Sequence, residues 1–282
     1  LPSSARIVTV IVGLALLGIT VWLESNKTLA DNPASNPQAQ PVSVVETPLV
    51  NPASDDSSAL STTTSTSPTQ NTESDEAERL YSSLGEAKTW ELVLQEPFDN
   101  NDNNWGLWNI DDEMNTQNIQ IDRGVFSWEL SIKQPNQYYL EIAPVTSLSD
   151  FYFSVKTKRV GQPTADQVNQ AIWGIIFRRQ GDKYYSFVIN DLQEYSLWFH
   201  DSTGWTELVG NTISSLVNKE FSNELTVIAD QNEITFFING VPIKSITDSN
   251  LSEGNIGLYA GLNYVDDKVT FEFDDLEIRQ KP

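Results

Sequence analysis

Cysteine is absent from this chain of 282 residues, and histidine occurs once, at His200. No disulfide, thiolate metal site or cysteine nucleophile can form. A multi-histidine metal centre is excluded, and a serine–histidine–acid triad would have to use His200. The lack of cysteine leaves the compartment open, because exported and cytosolic proteins can both do without it. Positive charge is also scarce: 17 Lys and Arg stand against 39 Asp and Glu, a net charge of −22. An acidic surface repels phosphate backbones, which argues against nucleic acid as a partner. It suits solubility, and it also suits divalent cations.

One stretch lacks charge altogether. Within "ARIVTVIVGLALLGITVWLES", the 17 residues from Ile7 to Leu23 carry none. As a helix they reach about 25 Å, a short span for a hydrocarbon core of about 30 Å. Residues 1–30 are therefore read as a single transmembrane anchor in contact with membrane lipid. Arg6 favours a cytoplasmic N-terminal end, which places the C-terminal part of the chain outside the cytoplasm of a cell-membrane protein. The alternative is a signal peptide cleaved near Thr28–Ala30, but the apolar run exceeds the usual length for one.

Residues 31–74 are rich in Ser, Thr, Pro and Asn and almost free of aromatics. Such a segment cannot bury enough apolar area to offset the entropy of ordering, so it reads as a disordered linker with a reach of about 35–40 Å. A short amphipathic helix is expected within 75–89, where Ala77, Leu80, Tyr81 and Leu84 follow helical spacing. Thr72 or Ser74 could cap it and Gly85 could end it.

From residue 90 to 282 the period changes to two. "ELVLQEPF", "GVFSWEL", "QYYLEIA", "FYFSVKTKRV", "AIWGIIFRR", "KYYSFVIN", "EYSLWFH", "ELTVIAD", "EITFFING" and "VTFEFDDLEIRQ" read as strands bounded by Gly, Asn and Asp. "RQGDK" and "FINGVP" suit hairpin turns. With no helical run between them, the class is all-β: a two-sheet antiparallel jelly-roll sandwich. Gly161–Gln170 is the longest expected loop. In "FEFDDLEI", Phe271 and Phe273 share one face, whereas Leu276 and Ile278 have the opposite parity. A β-bulge or bend at Asp274–Asp275 is the simplest explanation.

Taken in order, "FDNNDNNW", "GIIFRRQGDKYYSFVINDLQEYSLW", "GWTEL", "NELTVIADQNEITFFINGVPI", "GNIGLYAG" and "FEFDDLEI" resemble the concanavalin A-like lectin/glucanase superfamily. Within it they look like the LamG-like and 3-keto-disaccharide hydrolase-like domains. The resemblance covers roughly residues 90–280. It implies the jelly roll, but it does not choose among glycosidase, lectin, adhesion module and spacer. The superfamily's glucanases carry Glu-x-Asp-x-Glu on one strand. Here Glu272 and Asp274 match and Leu276 does not, so a catalytic role is not expected. Some members bind a structural calcium where the first and last strands meet. That implies candidate ligands at Asp99, Asp102, Asp274 and Asp275. The alternative is Asn/Asp-rich turns held by their own hydrogen bonds.

"EYSLWFH" puts Trp198 and His200 on the face opposite Tyr195, Leu197 and Phe199. In jelly rolls of this type the concave sheet binds sugar, so the resemblance implies an aromatic–arginine platform. Its candidates are Trp173, Arg178, Arg179, Tyr184, Tyr185, Trp198 and His200, with Trp205 at the rim. Rings can stack on a pyranose while Arg bonds its hydroxyls. The alternative is that these rings fill the sandwich. The leading functional expectation is a membrane-anchored, non-catalytic module for glycan or cell-surface material. A structural subunit contacting an envelope protein is the second reading, and a glycosidase the third.

Overall fold

The computed structural model describes residues 69–161, 171–265 and 268–282. The apolar run at 7–23, most of the linker, and all but the first residue of the Gly161–Gln170 loop lie outside them. Among the described residues, no helix is long and apolar enough to cross a membrane.

Helix α1 spans Thr69–Ala87. The strands follow in chain order: β1 Glu91–Glu96, β2 Asn109–Asp111, β3 Asn115–Asp122, β4 Val125–Ile132, β5 Gln137–Ile142, β6 Phe151–Val160, β7 Ala171–Gln180 and β8 Lys183–Asn190. Then come β9 Glu194–Asp201, β10 Gly204–Ile213, β11 Asn223–Asp230, β12 Glu233–Ile238, β13 Val241–Thr247, β14 Asn255–Leu262 and β15 Lys268–Gln280. One sheet of nine strands runs β13-β12-β11-β6-β15-β4-β3-β2, with β1 also on β15. The other, of six, runs β10-β9-β8-β7-β14-β5. Every pairing is antiparallel.

Alternation explains the core. Phe126, Trp128, Leu130 and Ile132 of β4 are buried with Phe271 and Phe273 of β15, against Trp173, Ile175 and Phe177 of β7 and Tyr185, Phe187 and Ile189 of β8. Each full burial stabilises by roughly 1.5–3 kcal/mol. The expected slip in β15 is a register shift between Asp274 and Glu277, with Asp275 at φ 47°. It has a topological cause. Residues 268–273 pair with β4, whereas residues 276–280 pair with β1. The strand changes neighbour at the bulge, and the parity change keeps both Phe271/Phe273 and Leu276/Ile278 in the core. In the β12–β13 hairpin, Asn239 and Gly240 both have positive φ (53° and 75°), as the tight two-residue turn requires.

The helix differs from its expected bounds at both ends. Its inward stripe is Leu80 and Ala87, both buried, with Leu84 half-buried, and Tyr81 is exposed. Leu84 and Ala87, with Trp90, pack against Tyr152, Ile228 and Phe237 on the outer face of the nine-stranded sheet. Arg79 adds an ion pair to Glu233 at 2.7 Å. Strands β2, β3, β10, β13 and β14 were not read from alternation. They carry Asn, Gln, Gly and Pro, and pairing with neighbours overrides that weak local preference.

Candidate ligand groove on the six-stranded sheet

The outer face of the six-stranded sheet is apolar and aromatic. Ile176, Tyr184, Val188 and Tyr259 form a buried layer there, with Tyr138, Leu140, Ile142, Ile172 and Trp198 partly buried against it. Hairpin register builds the row. Tyr184 opposes His200, and His200 opposes Trp205, so β8, β9 and β10 deliver three rings to one line. Tyr184 stacks on His200 at 5.0 Å, and Trp205 meets His200 edge to face at 4.7 Å. One rung along, Ser186 opposes Trp198.

Tyr138 and Trp205 reveal the curvature. They stand on the two edge strands, β5 and β10, with four strands between. A flat sheet would separate those strands by about 24 Å, yet the two ring centroids are 6.3 Å apart. The sheet is therefore curled with this face concave, and both rings lean inward. Tyr138 can do so because Gly261 lies beneath it: a Cβ there would fall 2.2 Å from the Tyr138 ring. The Tyr138 hydroxyl donates to Asn263 Oδ1 at 2.9 Å, which pins the ring.

The hollow has a volume of about 340 Å³, and Ser186, Ser196 and Asn211 supply its polar lining among Tyr138, Tyr259, Trp198 and Trp205. Burial raises the pKa values of Tyr138, Tyr184 and Tyr259, so these hydroxyls stay protonated donors at neutral pH. His200 Nδ1 lies 2.7 Å from the Asp182 carbonyl oxygen. A carbonyl only accepts, so Nδ1 is the donor in this bond.

The expected platform is thus divided. Trp198, His200, Tyr184 and Trp205 share the concave face. Trp173 and Tyr185 do not. Both have the inward parity of their strands, and Trp173 packs on Phe271 at 5.7 Å. Tyr185 stacks on Phe177, and its hydroxyl donates to Asp248 while accepting from the Leu251 amide. Arg178 is fully buried, with its guanidinium donating to the carbonyls of Ser149, Leu251 and Gln231. It holds loops together and cannot reach a ligand. Arg179, beside it, is half-buried. Tyr138, Tyr259, Ser186, Ser196 and Asn211 were missed. Ser186 and Ser196 were legible from hairpin parity, whereas Tyr259 depends on β14 inserting between β7 and β5.

The candidate cation ligands do not form a suitable set. Asp275 is paired with Lys156 at 2.6 Å. Asp274 accepts the Asp275 amide at 2.7 Å. Its pKa is raised, first by burial and then by neighbouring carboxylates that include Asp99. The amide of Asp102 bonds Asn100 Oδ1 in a local turn. A hard cation needs about six to eight oxygens, and among the described residues no three acidic or histidine side chains are grouped to hold one. The "DNNDNN" loop is organised by Glu96 instead. This buried carboxylate accepts from the Phe98 amide, Asn103 Nδ2 and Trp105 Nε1 at 2.8, 2.8 and 3.0 Å. Chelation by EDTA is expected to leave the thermal midpoint unchanged. A fall that calcium reverses would reinstate the cation site.

Glu272 and Asp274 lie on the nine-stranded sheet, and Glu272 pairs with Lys158 at 2.8 Å. They are on the opposite layer from the groove.

The two antiparallel sheets, with their inner faces forming one core, have the layout that the ordered motifs imply. The fold is an all-β, two-sheet antiparallel sandwich. No family model and no curated protein matches the chain. Among solved structures, the carbohydrate-binding module CBM66 of Bacillus subtilis is similar at 13% identity and TM-score 0.44, covering 62% of this chain and 100% of that one. The laminarinase catalytic domain of Thermotoga maritima is similar at 9% identity and TM-score 0.48, covering 68% and 99%. The β-glucanase of Bacillus licheniformis is similar at 10% identity and TM-score 0.47, covering 69% and 100%.

Proposed function

We propose that this chain is a non-catalytic glycan-binding module, held outside the cytoplasm by its N-terminal apolar segment, with a short saccharide lying in the concave groove. The observation that carries the reading is the aromatic wall left uncovered there. Trp205 is 42% exposed and Trp198 is half-buried, on a face whose other rings are already packed. Aromatic faces left in water match the C–H faces of a pyranose, and Ser186, Ser196 and Asn211 suit its hydroxyls. A volume of about 340 Å³ is at the small end for ligand sites, roughly 300–1,000 Å³, so a short segment is expected. Glycoside hydrolysis generally needs two facing carboxylates, and among the described residues that line the groove there is none. The anchoring part of the proposal draws on the uncharged run Ile7–Leu23.

The test is binding of the full chain to a panel of oligosaccharides by calorimetry. Trp198→Ala and Trp205→Ala are each expected to weaken the best binder by at least about 30-fold, the loss of one aromatic anchor worth roughly 2 kcal/mol. Their thermal midpoints should stay close to that of the wild type. Unaltered binding by both variants, or no binding by the wild type, would sink the proposal.

A further inference from the structure

We infer that the ligand of this groove carries a carboxylate, and that Arg179 is the residue that takes it. The inference rests on the groove reading above and adds the chemical class of the ligand.

The placement comes from a break in the β7–β8 ladder. Phe177 opposes Tyr185 and Gln180 opposes Lys183, so Arg178 and Arg179 together face the single residue Tyr184. Arg178 has φ 51° and sends its guanidinium into the end of the sandwich. Arg179 is left at the head of the row that continues through Tyr184, His200 and Trp205, with Asn255 of β14 on its other side. Its charge is felt at the Tyr184 hydroxyl. The bulge therefore adds a cation to one end of the aromatic line.

That arginine is unlike the other five among the described residues. Of the six arginines among the described residues, five are ion-paired, with Glu233, Asp122, Asp191, Asp150 and Glu277. Arg179 makes no ion pair and no side-chain hydrogen bond among the described residues, and its Nε is buried without a partner. In a chain with 39 acidic residues, an arginine without one is a gap in the pattern. A guanidinium partly withdrawn from water and left unbonded is costly. Its planar fork matches a carboxylate with two parallel hydrogen bonds.

The neighbouring charges do not fill the role. Asp201 spends Oδ1 on the Thr203 amide and hydroxyl at 2.8 and 2.6 Å. Lys183 follows the turn, exposed, and the Asp182 carbonyl oxygen is taken by His200. Glu207, opposite Trp198, is one rung away from the Arg179 row. The net charge of −22 disfavours a densely charged polymer. The ligand is accordingly a largely neutral glycan with an acidic sugar at the Arg179 end.

The experiment compares matched probes on the full chain: neutral gluco- and galacto-oligosaccharides and the same oligosaccharides oxidised to uronic acids at C6. The wild type is expected to bind an oxidised member at least about tenfold tighter than its neutral partner, as one charge-assisted pair allows. Arg179→Gln should abolish that preference and leave neutral binding intact. Arg179→Lys should keep part of it, with the preference weakening as salt rises. Trp198→Ala should reduce binding of both probes. Equal wild-type affinity for the two probes, or an unchanged preference in Arg179→Gln, overturns the inference and leaves the groove standing. Binding of neither probe overturns the groove reading and this inference with it.

Discussion

Arg178→Met is expected to cost the fold about 4 kcal/mol or more, read as a lowered midpoint in chemical denaturation of the full chain. Arg178 is fully buried, and its guanidinium gathers three carbonyls that are distant in sequence: Ser149, Gln231 and Leu251. Methionine fills much of the volume but donates nothing. Each buried acceptor left without a donor costs roughly 1–3 kcal/mol, and removing one member of a buried charge pair costs about 3–5. Asp150, 3.8 Å away, loses its ion pair but keeps the Gln231 amide as a donor. The Tyr185–Asp248 and Tyr185–Leu251 bonds share this end of the sandwich, so the loss should spread to them. Arg178→Lys should recover only part of the loss, because one ammonium cannot span three carbonyls. A loss below about 1 kcal/mol would mean that water substitutes for the guanidinium, and that the end is less closed than its burial implies.

Glu96→Ala is expected to cost about 3 kcal/mol and to loosen the loop between β1 and β2. Three donors converge on this carboxylate, and two belong to residues buried in the core, Phe98 and Trp105. Trp105 packs on Phe98 and Phe126 at 5.3 and 5.5 Å, so the loss of its indole bond also disturbs aromatic packing. Phe98 has φ 54°, a left-handed conformation that a bulky residue adopts only when its surroundings demand it. Its amide bond to Glu96 is part of that demand. Glu96→Gln keeps one oxygen and should cost about half as much. Tryptophan fluorescence during unfolding would report the change directly. If Glu96→Ala matched the wild type, the loop would owe its shape to something other than this carboxylate.

The same loop shows why part of the candidate site was misread. "DNNDNN" offers oxygens at the spacing a hard cation uses, but spacing along the chain does not say where those oxygens point. Glu96 lies outside the motif, yet it collects the donors on which the loop depends. Asp275 illustrates the same limit, since its partner Lys156 is more than a hundred positions away in sequence. The phase slip at Asp274–Asp275 was legible because it is a local change of parity. Its reason, the exchange of β4 for β1 beside β15, was not.

The amino-acid order by itself determined the strand class, two hairpin turns and the parity of the ten strands that alternate. Period-two alternation and turn residues act over a few neighbouring positions, so they can be read without knowing the fold. Parity separated Trp198 and His200 from Tyr195, Leu197 and Phe199. It could not separate Trp173 from Trp198, because both faces of the six-stranded sheet are aromatic and either could be the core. Only tertiary structure decided that. It laid the nine-stranded sheet over the Trp173 side, and it placed β14 between β7 and β5 to bring Tyr259 and Tyr138 to the other. It also curled that sheet until rings from its two edges met. Which face is covered depends on contacts between segments far apart in the chain, and no local pattern encodes them.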